Sequence, residues 1–211
     1  MDIVIPIFPD FTALDAIGPY EVLRSLPDAT VTFAAAARGV VRTDSKMVGL
    51  HADASFAEID AADVLVVPGG WGTRAAMTDE PLLDWVRRIH ATTRWTTSVC
   101  TGSLVLGAAG LLRGLKATTH WAVTDLLESS GATYTAERVV RQGKIITGAG
   151  VSAGIDMALT LAAEIAGEDQ AKAIQLSIEY DPQPPFDAGS PAKAGPRIQA
   201  LTGMLKTDPT D

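Results

Sequence analysis

Short apolar runs alternate with helix-like stretches along this chain, and this alternation constrains the fold more than any other feature. Residues 64–67 read VLVV without a polar side chain, which is typical of a strand buried on both faces. Residues 81–92 carry apolar side chains at helical spacing. Strands that alternate with helices usually pair in parallel, because each helix supplies the crossover between two strands. The sequence therefore predicts an α/β fold in three layers, with a mostly parallel central sheet between helices.

The same periodicities predict the other elements. Further strands are expected at residues 3–8, 31–36, 95–99 and 145–147, with a hairpin-like section at 40–52. Further helices are expected at residues 17–26, 102–109, 123–129, 153–165 and 169–178. From about Glu179 the chain is rich in Pro, Gly and Ala, which predicts an extended arm ending in a short helix near residues 198–205. We therefore expect one domain spanning residues 1–211, with this arm at its C-terminal end.

Charge and cysteine content exclude several classes of function. The net charge of -8 argues against a nucleic-acid partner, because phosphate binding needs clustered Lys and Arg. The opening residues MDIVIPIF lack the basic start of a signal peptide, and no segment approaches the ~20 apolar residues that cross a bilayer. A single cysteine cannot form an internal disulfide, which suits a reducing compartment. We expect a cytoplasmic protein that does not bind membranes.

That single cysteine, Cys100, lies where the predicted strand at 95–99 gives way to a helix of small residues. The free N–H groups and dipole of a helix N-terminus favour an anion, so this position predicts a lowered thiol pKa and a reactive thiolate. Gly102, Ser103 and Gly107 would allow the helix to pack close to the sheet, as a nucleophile elbow requires. The alternative is that Cys100 is a small residue of the core.

A catalytic thiol needs an acid or a base, and two residues are candidates. Asp15 lies among apolar neighbours in "FTALDAIGPYEVL", where burial would raise its pKa and allow it to hold a proton. It could equally be the N-cap of the helix that follows. His120, in "KATTHWA", follows a predicted short strand and could approach the same edge of the sheet. A Cys–His pair is compatible with this sequence but is not required by it.

Two glycine clusters follow predicted strands. In "PGGWGT" at residues 68–73, backbone amides of Gly69, Gly70 or Trp71 could stabilise an anion beside Cys100. In "GAGVSAG" at residues 148–154 the third glycine comes one position late for a dinucleotide fingerprint, and no ribose-binding acid follows as expected. We therefore expect neither an organic cofactor nor a metal.

Five segments together resemble the DJ-1/PfpI (ThiJ) superfamily, and within it the bacterial isocyanide hydratases. They are "SVCTGSLVLGAAGLL", "ATTHWA", "ERVVR", "AGIDMALTLAAE" and "EYDPQPPFDAGSP". The resemblance extends from the first strand to the Pro-rich arm. It implies a flavodoxin-like α/β sandwich, usually a homodimer, with a reactive cysteine on a strained strand-to-helix turn.

The resemblance also implies roles for individual residues. Cys100 matches the nucleophile, and Asp15 in "LDAIGP" matches the acid that contacts it. The loop with Gly69 and Gly70 matches one that offers amides to the substrate pocket. Thr101 stands where the protease-like branch has a histidine, which argues against a Cys–His peptidase. Further substrate-binding positions are expected at Thr101, Trp71, Val151 and His120.

These matches favour a cofactor-independent hydratase that converts a small isocyanide to an N-substituted formamide through a thioimidate at Cys100. A second hypothesis is glyoxalase-like conversion of α-oxoaldehydes by the same pair of side chains. A third is a redox-sensing or small-molecule-binding module, in which Cys100 is oxidised rather than catalytic.

Overall fold

The computed structural model describes residues 1–204, which contain a seven-stranded sheet flanked by helices. Eleven strands occur among these residues: β1 Asp2–Pro6, β2 Thr30–Ala35, β3 Gly39–Arg42, β4 Gly49–Ala52, β5 Ala54–Ser55, β6 Val64–Val67, β7 Trp95–Val99, β8 Lys116–Ala117, β9 Thr133–Tyr134, β10 Val139–Gln142 and β11 Ile145–Gly148. The central sheet has the order β10-β11-β7-β6-β1-β2-β5. Strands β3 with β4, and β8 with β9, form two separate two-stranded sheets.

Seven helices accompany these strands in the first 178 residues: α1 Ala13–Leu23, α2 Thr73–Ala76, α3 Glu80–Thr92, α4 Gly102–Ala108, α5 Thr124–Ser129, α6 Ala153–Ala166 and α7 Glu168–Ser177. Short 3₁₀ turns occur at Phe56–Glu58 and Trp121–Val123. Asp79 caps α3, since its side chain accepts a hydrogen bond from the Leu82 N–H at 3.2 Å.

Every adjacent pair in the central sheet is parallel except β10 with β11. All four residues of β6 are buried, as expected for a strand with helices on both faces. The core consists mainly of the aliphatic side chains of β1 and β6 with those of α3, α4 and α6. These observations confirm the predicted fold class, a flavodoxin-like α/β sandwich with a mostly parallel central sheet. Parallel strands bring several carboxyl ends to one edge, where β6, β7 and β11 end beside each other.

Helix α1 begins at Ala13, four residues before the start predicted from Pro19. Pro19 lies inside the helix and lacks the N–H that would bond to the Asp15 carbonyl. The helix tolerates this loss because it packs closely on α6, where a Cβ on Gly18 would lie 3.2 Å from Ile155 Cγ1. Asp15 therefore lies in the first helical turn, and the alternative that it is the N-cap is wrong because Thr12 holds that position.

Strand β10 was not expected from periodicity. It has only four residues, includes Arg141 and Gln142, and lies at the edge of the sheet, where one side of a strand faces solvent. The short elements β5, β9 and α2 were not predicted either, and α1 ends three residues before the predicted Leu26. Within the first 178 residues the other predicted boundaries lie within two residues of the observed ones, as is usual for element ends.

The described chain divides into two compact units, Met1–Ile178 and a second that begins at Glu179. The second unit contains helix α8, Pro191–Leu201, which is interrupted at Gly195 with φ of 72°. This helix begins seven residues before the expected one, and Leu205 at the predicted end lies outside the described residues. That the whole chain works as one domain with a C-terminal arm stays a prediction. Within residues 1–204, no helix combines the length and hydropathy needed to span a membrane.

Candidate active site

Cys100 lies on a strained turn between β7 and α4. Its φ is +57°, in the left-handed region that costs a non-glycine residue about 1 kcal/mol. Four backbone or hydroxyl contacts hold this conformation. The Cys100 N–H donates to the carbonyls of Gly148 and Ala149, at 3.1 and 2.9 Å. The hydroxyls of Ser103 and Thr119 donate to the Cys100 carbonyl, each at 3.1 Å.

Gly102 allows this turn to pass close to the end of β6. A Cβ at Gly102 would lie 2.1 Å from the Val67 carbonyl oxygen, so only glycine fits. The expected close approach of helix and sheet is therefore found at this glycine. Gly107 serves another contact, since a Cβ there would meet Ser130 Oγ at 2.6 Å, beyond α5.

The Cys100 sulfur is buried and is contacted by two backbone amides and one carboxyl group. The N–H groups of Thr101 and Val151 donate to the sulfur, and the Asp15 side chain is hydrogen bonded to it. Burial, followed by the charge of Asp15, raises the pKa of the thiol to about 12, although the two amides act in the opposite direction. The expectation of a resting thiolate is therefore wrong, because desolvation outweighs the amides at the helix N-terminus.

Asp15 is fully buried beside the sulfur. Its Oδ2 accepts a hydrogen bond from the Gly69 N–H at 2.9 Å, while Oδ1 has no hydrogen-bond partner among the described residues. Burial raises its pKa to about 7, with a smaller contribution from the charge of Asp44, and the hydrogen bonds from Gly69 and Cys100 oppose this rise. The predicted increase in the pKa of Asp15 is confirmed.

Asp15 and Cys100 therefore act as one titrating pair. Between about pH 7 and about pH 12 the pair retains a single proton, because the carboxyl ionises well before the thiol. When the sulfur forms a bond to a reactant, the thiol proton can move to the ionised Asp15. The pair can therefore make the Cys100 sulfur nucleophilic during the reaction and then return a proton to the product.

The glycine loop after β6 positions this pair through its two amides. The Gly70 N–H donates to Thr101 Oγ1 at 2.8 Å, and the Gly69 N–H donates to Asp15. Both amides bond to buried protein oxygens, and that they also stabilise a developing anion stays a prediction. Thr101, likewise expected to contact substrate, directs its hydroxyl to the Gly70 backbone.

Gly69 has no room for a larger residue. A Cβ there would lie 2.5 Å from the Thr101 nitrogen and 2.8 Å from Asp15 Oδ2. The loop thus sets the distance between the carboxyl group and the elbow.

Two remaining candidates, Trp71 and His120, differ in exposure and contacts. Trp71 is 57% exposed, with the Arg74 guanidinium 4.2 Å above its ring. His120 is half-buried, its Nδ1 accepts from the Ala122 N–H at 3.3 Å, and burial lowers its pKa. It packs against Gly150, where a Cβ would lie 2.9 Å from its Cδ2. Among the described residues, no hydrogen bond joins His120 to Cys100 or Asp15.

Val151 was expected only as a substrate-binding position, and the contact between its N–H group and the Cys100 sulfur was not predicted. Its N–H group bonds to the sulfur because α6 begins immediately after the loop that pairs with the elbow. Glycine-rich "GAGVSAG" before a helix was the available signal, since such loops present backbone amides at one point.

Comparisons with known proteins find relatives that match most of this chain. The chain is 51% identical over 188 residues to the isonitrile hydratase of Pseudomonas putida, covering 89% of this chain and 82% of that protein. A ThiJ/PfpI family protein from Pseudomonas syringae has a similar crystal structure, with a TM-score of 0.92 and 40% identity over 95% of this chain and 84% of that one. Drosophila melanogaster DJ-1beta shares the fold, with a TM-score of 0.77 and 24% identity over 86% and 98% of the two chains. The profile of the DJ-1/PfpI family matches residues 1–164, and the chain belongs to that family.

Proposed function

We propose that this protein is an isocyanide hydratase, which adds water to a small isocyanide R–NC and releases the formamide R–NH–CHO. The observation that carries the proposal is the buried Asp15–Cys100 pair, in which the pKa of the carboxyl is raised to about 7 and one carboxyl oxygen has no hydrogen-bond partner within residues 1–204. The 51% identity to the isonitrile hydratase of Pseudomonas putida supports it, isonitrile being a synonym of isocyanide.

The first step forms the bond between sulfur and carbon. The ionised Asp15 carboxylate takes the thiol proton while the Cys100 sulfur attacks the terminal carbon of the isocyanide. Asp15 then gives this proton to the same carbon, which yields the thioimidate R–N=CH–S on Cys100. The N–H groups of Thr101 and Val151 stabilise the sulfur while it carries negative charge.

Water releases the product in the second step. Oδ1 of Asp15 is suited to accept a proton from water, because this buried oxygen has no partner within the described residues. Hydroxide adds to the thioimidate carbon and Asp15 passes the water proton to the nitrogen, giving R–NH–CH(OH)–S on Cys100 with Asp15 ionised again. The C–S bond then breaks as the hydroxyl proton passes back to the sulfur through Asp15, and the formamide leaves.

Incubation with a small alkyl isocyanide, followed by measurement of formamide, tests the proposal. Activity should require Cys100 and be lost in Cys100→Ala, and intact mass should detect the thioimidate adduct in the parent. Methylglyoxal conversion to lactate, measured in parallel, tests the glyoxalase-like alternative. Formation of lactate without formamide would overturn the hydratase proposal.

The redox-sensor alternative is disfavoured by the state of the thiol. Oxidation by peroxide follows thiolate content and exposure, whereas Cys100 is 4% exposed with a pKa raised to about 12. Slow oxidation during a peroxide titration is therefore expected, alongside turnover of isocyanide.

We also propose that the protein is a homodimer, as the family resemblance implies, and that it is cytoplasmic. A single cysteine is consistent with a reducing compartment. Light scattering on the purified full-length chain measures its mass in solution, and a monomer at working concentration would contradict the dimer.

A further inference from the structure

The turn at residues 148–152 supports Cys100 from two directions. The carbonyls of Gly148 and Ala149 accept the Cys100 N–H, and the Val151 N–H donates to its sulfur. A small shift of this turn would therefore change both the backbone of the elbow and the environment of the sulfur. Its position depends on what holds the loop between β11 and α6.

Arg138, immediately before β10, contacts both ends of this turn. Its carbonyl accepts the Ala149 N–H at 2.9 Å. Its guanidinium donates to Ser152 Oγ at 3.1 Å and to the carboxylate of Asp156 in the first turn of α6. A planar guanidinium can hold two acceptors in fixed relative positions, so Arg138 links the start of α6 to the edge of the sheet.

We propose that Arg138 is a positioning residue, which keeps the Val151 amide on the Cys100 sulfur by holding Ser152 and Asp156. This inference rests on the proposed role of Cys100 as nucleophile, but it does not depend on which substrate the sulfur attacks. Loss of the guanidinium should weaken the N–H···S contact and so disfavour the thiolate.

Arg141, which lies on β10 itself, offers a control for Arg138. It also joins β10 to α6, through Glu164 near the opposite end of the helix. The two pairs have similar exposure, with side chains 49% and 32% exposed for Arg138 and Asp156, and 46% and 35% for Arg141 and Glu164. Arg141 also lies 4.9 Å from the Trp95 ring, so thermal unfolding of each variant measures the structural contribution of its arginine.

The experiment compares Arg138→Gln with Arg141→Gln in the full-length chain. The rate at which iodoacetamide alkylates Cys100 is measured by intact mass as a function of pH, with thermal unfolding of each variant. Arg138→Gln should alkylate about three- to tenfold more slowly at fixed pH, the effect of weakening one hydrogen bond to the ionised sulfur. Its pH profile should shift upward, and Arg141→Gln should match the parent.

Unchanged alkylation in Arg138→Gln, or equal slowing in both variants, would overturn the proposal. If Arg138→Gln does not fold, Ser152→Ala provides the decision, because it removes an acceptor of the guanidinium and leaves the arginine in place. Slower alkylation in Ser152→Ala supports the positioning role, and an unchanged rate contradicts it. Alkylation reports on the thiol even if the protein does not hydrate isocyanides, so failure of either proposal can be recognised separately.

Discussion

The Asp15 carboxyl accepts a hydrogen bond from the Cys100 thiol, and both groups are buried away from water. Burial is the largest contribution to the raised pKa of each group. Because the two pKa values, about 7 and about 12, are well separated, the pair holds one proton from just above neutral pH up to about pH 12. The chemistry and the pH dependence of the protein follow from that shared proton.

Hydration of isocyanide should accelerate with rising pH and reach half its plateau near pH 7. The reason is that Asp15, whose pKa is raised to about 7, must be ionised to accept the thiol proton. Measurement of kcat/KM from about pH 5 to about pH 9 checks this. Asp15→Asn should abolish the acid limb together with most of the activity. A parent profile that is flat over this range would remove Asp15 from the mechanism.

The free energy of unfolding should fall as the pH rises, which is the opposite of the change expected in activity. The folded state binds the Asp15 proton more tightly than the unfolded chain, since burial raises the pKa from 3.8 to about 7. The stabilisation is fully present below about pH 4 and is lost as pH rises through about 7. Asp15→Asn, which stays neutral, should therefore be more stable than the parent at pH 8, by up to about 4 kcal/mol.

Urea unfolding at about pH 5 and about pH 8 measures this difference. Asp60→Asn is a suitable control, because the Asp60 side chain is 90% exposed, and it should preserve the pH dependence of the parent. If Asp15→Asn is less stable than the parent at both pH values by the same amount, the proposed linkage is wrong.

Gly69→Ala should impair catalysis without changing either reacting side chain. The added methyl group would lie 2.8 Å from Asp15 Oδ2 and 2.5 Å from the Thr101 nitrogen, so the carboxyl group must move away. We expect at least about a tenfold fall in kcat/KM and a loss of about 1–3 kcal/mol in the free energy of unfolding.

Gly189→Ala is the matched control for this substitution, since a Cβ at Gly189 meets no heavy atom within 4 Å. Steady-state kinetics and urea unfolding of the two variants separate crowding at the site from the general effect of replacing glycine. Parental kinetics in Gly69→Ala would show that the loop does not set the Asp15 position.

Lys144→Met should reduce stability and leave catalysis unchanged. The Lys144 ammonium donates to the carbonyls of His90 and Thr93, at 2.5 and 3.1 Å, at the C-terminal end of α3. The Lys144 ammonium and these carbonyls lie near the start of β7 and β11. Cys100 follows the other end of β7, so the site should not be affected. We expect a loss of about 1 kcal/mol, measured by urea unfolding, because two helix carbonyls lose a charged donor.

The exposed Lys116 supplies the comparison, and Lys116→Met should retain parental stability and rate. Equal stability of the Lys144→Met and Lys116→Met proteins would show that the α3 carbonyls do not depend on this ammonium group.

Much of the architecture was predictable because it depends on local patterns. The strands at Val64–Val67 and Trp95–Val99 agree with the structure at both ends. The first is apolar throughout, and in the second the polar residues Thr96, Thr97 and Ser98 are buried together with Val99. Cys100 was predictable as a residue of the elbow for a related reason. A change from strand to helix, followed by Gly102, marks a sharp turn in the sequence itself.

The start of α1 and the strand β10 were not predictable in this way. A proline usually limits a helix, but packing of Gly18 on Ile155 stabilises α1 on both sides of Pro19. Tertiary contacts outweigh local propensity when they bury enough apolar surface.

The sequence by itself determined that an acid among apolar residues and a thiol at a turn exist in one α/β chain. Only the tertiary structure decided that Asp15 and Cys100 meet, that the Val151 amide bonds to the sulfur, and that Gly69 and Gly70 bond within the protein. The structure also reversed the expected charge state of the thiol. The physical reason is that a pKa depends on the desolvation and charges that surround a group in three dimensions, and these come from residues more than 50 positions apart in this chain.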